Sequence, residues 1–373
     1  MRILICTHSG RLEGAPLQIL QLGIFLKRKG HNCYLISGEN GPIINLAEKN
    51  GISFAIEPFL YLPAVYNVHP IAAELTKFKP DIVFVNTILG DPIIQEIKKY
   101  DAKLPVVWII HESERSHILN AYNYLSEKSF KLSDAVVFVS EQTRKIYNDL
   151  DNGNFFVIHN GLDLDKIDSF RRRNSSVKLR LKYGIPADAK VITSIGSIIP
   201  RKGQLELAES GINILRNNNT GKNIHFVLVG RIPASDVLYA DKIKTEIKSG
   251  GFGSNFHIFG ETCDVYDFFL MTDIFVCDSF IESFPLVVLE AMAFGLPIIA
   301  SDVYGIKEQI EDKKSGLLFL PGNRTMLSNL INKLIDDPVL AEELGCNACD
   351  RVRNRFNNEI MFSKYLQLIN QVM

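Results

Sequence analysis

The chain reads as an α/β protein made of two doubly wound halves, and three observations predict this. Short apolar runs with the length of buried parallel strands alternate with segments of helical period along most of the 373 residues. The alternation breaks at residues 165–182, where charge dominates and no apolar face is sustained, and restarts at residue 190. A chain of 373 residues is also long for one hydrophobic core and comfortable for two domains. The expected division is a first domain over 1–165, a linker over 166–186, a second domain over 187–355 and a final helix over 356–373.

Residues 2–6 are the first strand, and a glycine-bearing loop then leads into a helical pattern that ends at Lys29 and Gly30. Gly10 and Gly14 let backbone approach a ligand, and Pro16 opens a helix whose amino end would face it; glycines at βα turns also serve packing alone. A strand at 31–37, a turn at 38–42 and a helix ending at Asn50 and Gly51 follow. The stretch 59–70 is aromatic, carries Pro63 and Pro70 and keeps no single period. It suits either an apolar connection packed on the domain or part of an acceptor wall.

Strands follow at 81–86 and 105–110, the second running into His111-Glu112-Ser113-Glu114. A histidine just beyond the carboxyl end of a parallel strand lies at the crevice where such sheets bind ligands, so His111 is a candidate site residue, with a structural role the alternative. Arg115, His117, Tyr122 and Tyr124 come after it without a specific signal. Strands at 134–140 and 155–158 and a turn at Asn160-Gly161 close this half. In the charged stretch, Arg171, Arg172 and Arg173 fit a solvated face, and attraction to anionic lipid headgroups is the other reading.

The second half opens with a strand at 190–195 and the loop Gly196 to Gly203, which places Arg201 and Lys202 between a strand end and a helix start. Cations there suit a strongly anionic ligand, and a diphosphate fits without a metal; a surface pair of charges is the alternative. Strands at 224–230, 256–259 and 274–277 lead to a helix with Pro285 as its first residue, stopped by Gly295 and Pro297. Ser283, Phe284, Pro285 and Leu286 enter that helix, where backbone N–H groups lack intrahelical partners and the helix dipole favours an anion. Glu282 precedes the helix and Glu290, eight residues on, lies within it. A carboxylate on so apolar a helix must meet a Lys, an Arg or the hydroxyls of a ligand. A strand at 297–301, a turn at 302–305, a strand at 316–320 and helices at 325–344 and 358–373 complete the chain.

With 46% hydrophobic and 22% charged residues, and no apolar run near the ~20 residues of a membrane span, the composition is that of a soluble globular protein. Met1 to Cys6 reads as a strand rather than a secretory signal, which predicts a cytoplasmic protein. A net charge of −1 argues against a nucleic-acid partner. Of six cysteines only Cys346 and Cys349 have a redox or metal spacing, with no second pair and no histidine near, so no metal is expected.

Glu282-x(7)-Glu290 with Phe284-Pro285-Leu286 between, continued by Ala291-Met292-Ala293-Phe294-Gly295-Leu296-Pro297-Ile298-Ile299-Ala300-Ser301-Asp302, resembles the donor-binding signature of family-4 retaining glycosyltransferases of the GT-B fold (glycosyl transferases group 1). The resemblance is best over 192–322 and weaker before 103. It implies two Rossmann-like domains facing a central cleft, with the terminal helix crossing back to the first. It implies a retaining transfer from a nucleoside-diphosphate sugar to a hydroxyl of a glycan, glycolipid or small molecule, with no metal and no cofactor. By the same resemblance His111 lies close to the transferred sugar, Lys202 on the donor diphosphate, Glu282 beside the donor sugar and Glu290 on ribose hydroxyls. Gly14 matches the second glycine of the family's first loop, while Glu13 stands where a first glycine is frequent. Ser197 occupies a position commonly Arg, and Arg201 is the candidate to supply that charge. The catalytic set is thus His111, Lys202 and Glu282, and the donor-binding set adds Gly14, Arg201, Ser283, Phe284, Pro285, Leu286 and Glu290. The loop 260–265 would hold the nucleobase. Envelope polysaccharide or glycolipid synthesis is the commonest use of the family, and peripheral contact with the inner membrane face is expected of a chain so employed. The rivals are a nucleotide-sugar epimerase and a non-catalytic carbohydrate-binding scaffold. A nicotinamide dehydrogenase is weaker, because Gly10-x(3)-Gly14 is not the Gly-x-Gly-x-x-Gly fingerprint.

Overall fold

The computed structural model describes residues 1–63, 69–115, 126–218 and 221–373. It divides into two compact units, one of residues 1–161 and 359–373 and the other of residues 162–358.

The first unit holds a seven-stranded sheet in the order β3-β2-β1-β4-β5-β6-β7. Its strands are β1 Arg2–Thr7, β2 Asn32–Ser37, β3 Ser53–Ile56, β4 Ile82–Asn86, β5 Val106–Ile110, β6 Ala135–Phe138 and β7 Phe155–Val157. Every pairing is parallel, with β1 between β2 and β4, Ile3 being opposite both Cys33 and Ile82. Parallel strands covered on both faces need apolar side chains in both directions, which is why they read as unbroken runs. Ile3 and Ile5 join a cluster with Leu20 and Leu26, while Leu4 and Cys6 join another with Val83, Val85, Trp108 and Phe130. The terminal helix Asn358–Val372 packs Met361, Phe362, Tyr365, Leu368 and Ile369 into the first of these clusters. Phe362 stacks on Phe25 at 4.3 Å between centroids. The strand β3 is absent from the sequence reading because it is a four-residue edge strand, at most half-buried, whose apolar run is only Phe54-Ala55-Ile56.

The second unit holds a six-stranded parallel sheet in the order β10-β9-β8-β11-β12-β13. Its strands are β8 Lys190–Ile195, β9 Ile224–Val229, β10 Phe256–Phe259, β11 Ile274–Cys277, β12 Ile298–Ser301 and β13 Leu317–Phe319. The direction of winding reverses between β8 and β11, so the loops after these strands flank the crevice where open α/β sheets bind ligands.

Two expectations are corrected. Residues 166–186, expected to be a linker, lie within the second unit and carry the helices Leu164–Arg173 and Ser176–Lys182. Their charge conceals anchoring: Arg180 is buried, donates to the carbonyls of Met271, Ala187 and Ala189 and pairs with Asp273 at 2.8 Å. Asp168 pairs with Arg353 at 2.6 Å, and Ile167 and Leu179 are buried beneath. The helix expected at 325–344 is two, Arg324–Asp336 and Pro338–Arg355. Pro338 has no N–H to continue the first helix, and Asp337 caps the second by accepting from the Leu340 N–H at 3.0 Å.

Candidate active site

In the second unit the loops after β8 and β11 meet through glycine. Gly203 has φ of +72°, and a Cβ there would lie 1.9 Å from the Asp278 carbonyl oxygen. With no side chain in the way, the Phe280 N–H donates to the Arg201 carbonyl at 2.8 Å. The Arg201 guanidinium returns to the Ile281 carbonyl at 3.3 Å and is itself exposed. Lys202 and Glu282 form an ion pair, their side chains only 16% and 9% exposed. The Ser279 hydroxyl donates to the same Glu282 oxygen at 3.0 Å.

The entry to the next helix is braced from one side. A Cβ on Gly305 would fall 1.6 Å from the Ser283 carbonyl oxygen, and the Gly305 N–H donates to the Glu282 carbonyl at 3.3 Å. The Gln309 amide donates to the Pro285 carbonyl at 2.9 Å. Pro285 stands just before the helix Leu286–Ala293 rather than within it, and as the capping residue it makes no side-chain hydrogen bond to the amino end. Glu282 precedes that end in the chain and opposes the Lys202 ammonium in the unliganded protein, so the helix dipole supplies the positive potential there. Phe284 packs edge-on against Phe356 at 5.4 Å, which leaves its backbone to shape the loop.

Glu290, further along the helix, is half-buried and makes no ion pair or hydrogen bond through its carboxylate among the described residues. Burial pushes its carboxyl up to about 8, with Lys166 opposing from a distance. The alternative of a salt bridge to a Lys or Arg is therefore not what the structure holds. Asp278, buried at the end of β11, is also pushed up to about 8, first by burial and then by the charge of Glu206.

In the first unit three side chains stand at the carboxyl ends of adjacent strands: His8 after β1, Asn86 ending β4 and His111 after β5. The His111 Nε2 is 2.8 Å from Asn86 Oδ1. Burial, then the nearness of His8, holds His111 down at about 3, so its ring is neutral. Glu112 accepts from the N–H groups of Ile88 at 3.1 Å and His111 at 2.9 Å, and burial raises its carboxyl to about 7. Gly14 begins the helix Gly14–Arg28 two residues before Pro16, with no capping side chain. Gly10 serves packing: a Cβ there would meet the Glu39 carbonyl oxygen at 2.6 Å.

Comparison with known proteins matches the family model described as Glycosyltransferase Family 4 at residues 13–166 and the one described as Glycosyl transferases group 1 at residues 176–351. The chain is a glycosyltransferase of the GT-B type. Its relatives include the UDP-Gal:alpha-D-GlcNAc-diphosphoundecaprenol alpha-1,3-galactosyltransferase of Escherichia coli, 24% identical over 93% of this chain and 90% of that protein. The putative teichuronic acid biosynthesis glycosyltransferase TuaC of Bacillus subtilis is 24% identical over 74% of this chain and 67% of its own length. Among solved structures, Anabaena HepE in complex with UDP and glucose superposes with a TM-score of 0.84 at 21% identity, over the whole of both chains. Sucrose-phosphate synthase from Thermosynechococcus elongatus gives 0.80 at 19% identity, over 100% of this chain and 98% of that one. At such identities the likeness is one of fold.

The glycosyltransferase fold thus brings Lys202, Glu282, Ser283, Phe284, Pro285, Leu286 and, through a carbonyl contact, Arg201 to one crevice, with Glu290 along the same helix. His111 and Gly14 belong to the other unit. Sequence reasoning missed Ser279, Gly203, Gly305 and Gln309, whose roles depend on contacts between distant segments. It also missed His8 and Asn86, although both stand at strand ends as His111 does, because only His111 was singled out by the family resemblance. His117, Tyr122 and Tyr124 lie outside the described residues, as do residues 64–68 of the aromatic stretch. In the rest of that stretch Leu60 and Tyr61 are buried while Phe59 and Leu62 are exposed. Among the described residues no group of three His, Cys, Asp or Glu side chains gathers as for a metal, and no helix is long and apolar enough to cross a membrane.

Proposed function

We propose that this glycosyltransferase takes its sugar from a nucleoside-diphosphate donor and transfers it, with retention at the anomeric carbon and without a metal, to a hydroxyl of a glycan, glycolipid or small molecule. The observation that carries the reading is the convergence of Lys202, Glu282 and the amino end of the helix Leu286–Ala293 at the carboxyl ends of β8 and β11. Departure of the diphosphate builds negative charge at the leaving oxygen. Lys202, Arg201 and the amino end around Ser283 to Leu286 would stabilise that charge as it forms, where electrostatic catalysis has most leverage. Glu290 would accept hydrogen bonds from ribose hydroxyls, a task that fits a carboxylate without a protein partner.

Glu282 is not assigned as a nucleophile. Its oxygen already accepts from Lys202 and Ser279. A double displacement of the glycosidase kind would also call for two carboxylates about 5 Å apart across one anomeric carbon. Attack from the face that the diphosphate leaves fits better: the acceptor oxygen bonds to the anomeric carbon, the bond to the diphosphate oxygen breaks, and that oxygen takes the acceptor's proton. His111 would offer its imidazole to a hydroxyl of the transferred sugar. The name of the Escherichia coli relative, which pairs a UDP-sugar with a diphosphoundecaprenol acceptor, favours a uridine donor and a lipid-linked acceptor. Such an acceptor fits a cytoplasmic protein in peripheral contact with the inner face of a membrane. Thermal stability with UDP, GDP, ADP, dTDP, CMP and NAD in excess EDTA tests the reading. A ligand at 100 times its Kd adds about 2.7 kcal/mol, enough to move a domain's midpoint by several degrees. A shift with one nucleoside diphosphate is expected; no shift with any would overturn the donor assignment.

A further inference from the structure

We propose that Asn86 is a positioning residue for His111, fixing the imidazole as the Nε2–H tautomer so that Nδ1 is left as an acceptor for a sugar hydroxyl; this rests on the transferase reading above. Asn86 is fully buried at the end of β4, and its Oδ1 lies 2.8 Å from His111 Nε2. An amide oxygen only accepts, so the nitrogen facing it must carry the proton. A neutral imidazole has a single N–H, and the other nitrogen then holds a lone pair. Burial keeps the His111 ring neutral at any working pH.

The surroundings are built to hold this one side chain. The Tyr61 hydroxyl donates to the Asn86 carbonyl at 3.2 Å. The next residue, Thr87, has φ of 69° and ψ of 159°, a region that β-branched residues rarely adopt. That backbone is held by the Thr87 N–H donating to the Ile109 carbonyl at 2.8 Å and by the Trp108 indole N–H donating to the Thr87 carbonyl at 2.6 Å. Gly90 adds to the constraint, since a Cβ there would lie 2.2 Å from Val85. A turn strained and clamped in this way sets the direction in which Asn86 leaves β4. The Asn86 Nδ2 and the His8 Nδ1 are buried without hydrogen-bond partners, so two further polar atoms accompany His111 at the ends of β1, β4 and β5.

Long-range 1H–15N spectra of 15N-histidine-labelled protein report the tautomer directly, with His111→Gln assigning the signal. The full-length protein is expected to show His111 as Nε2–H, and the Nδ1–H form or a mixture would overturn the proposal without any change at Asn86. Asn86→Leu keeps the size of the side chain and removes the acceptor. It should release the tautomer and lower kcat by roughly 10- to 100-fold, with the Kd of the nucleoside diphosphate unchanged. Asn86→Asp keeps an acceptor oxygen and should retain the Nε2–H signature and more of the activity, which covers the case in which the leucine variant does not fold. An Asn86→Leu protein with the original tautomer and kcat would overturn the assignment. If the full-length protein transfers no sugar, the transferase reading fails, and the spectra still decide whether Asn86 sets His111.

Discussion

Glu290 carries a carboxyl pushed up to about 8 from an ordinary 4.5, and Asp278 one pushed up to about 8 from 3.8. In both, the folded chain holds a proton that the unfolded chain has released, so their contribution to stability is greatest below the unfolded values and is lost as pH rises through about 8. Denaturant midpoints measured from pH 6 to pH 9 should therefore fall, and Asp278→Asn should flatten the slope. Hydroxyls donating to Glu290 would favour its ionised form, so nucleoside-diphosphate affinity should rise over the same interval and lose that rise in Glu290→Gln; titration calorimetry at several pH values checks it. Lys202 answers a different question, because its ammonium is opposed by Glu282 in the unliganded protein and would turn to the leaving diphosphate during reaction. Lys202→Ala should lower kcat/KM by the equivalent of about 2–4 kcal/mol, and unchanged turnover would remove it from the mechanism.

At the scale of elements, the crevice in the second unit depends on loops touching at three places where only glycine fits. A Cβ would come within 1.9 Å of a carbonyl oxygen at Gly203 and at Gly230, and within 1.6 Å at Gly305. Gly203→Ala combines that clash with a left-handed φ and should destabilise the fold by about 1–3 kcal/mol. It should also weaken diphosphate binding, since the loop carrying Arg201 and Lys202 could no longer close on Asp278; thermal midpoints with and without the nucleotide measure both effects. The helix Leu286–Ala293 was legible from sequence because its apolar run, Pro285 and Gly295 are local signals. The helices Leu164–Arg173 and Ser176–Lys182 were not, because the partners that anchor their charges lie about 90 to 185 residues away, at Asp273 and Arg353. Local charge carries no mark of whether it faces water or a buried carbonyl.

Across the molecule, each sheet winds about one central pair of strands, β1 beside β4 and β8 beside β11; Lys202 and Glu282 follow the second pair, while His8, Asn86 and His111 stand at the carboxyl ends of β1, β4 and the adjoining β5. The first unit is completed by the end of the chain: five side chains of the helix Asn358–Val372 enter its core. At ~1.5–3 kcal/mol each, their burial is comparable with the whole stability of a domain, about 5–15 kcal/mol. Ending the chain at Asn358 should therefore unfold the first unit while the second still responds to nucleoside diphosphate, which scanning calorimetry with and without the ligand resolves. The amino-acid sequence by itself determined the alternating α/β class, nearly all the strands, and Lys202, Glu282, Glu290 and His111 as candidates, because each rests on a pattern within a few residues. Tertiary structure alone decided that Lys202 pairs with Glu282, that Glu290 has no partner, that Asn86 meets His111, and that residues 166–186 belong to the second unit. Those facts follow from the register of parallel strands, whose neighbours in space here are 23 to 82 residues apart in the chain, a distance over which periodicity and composition carry no information.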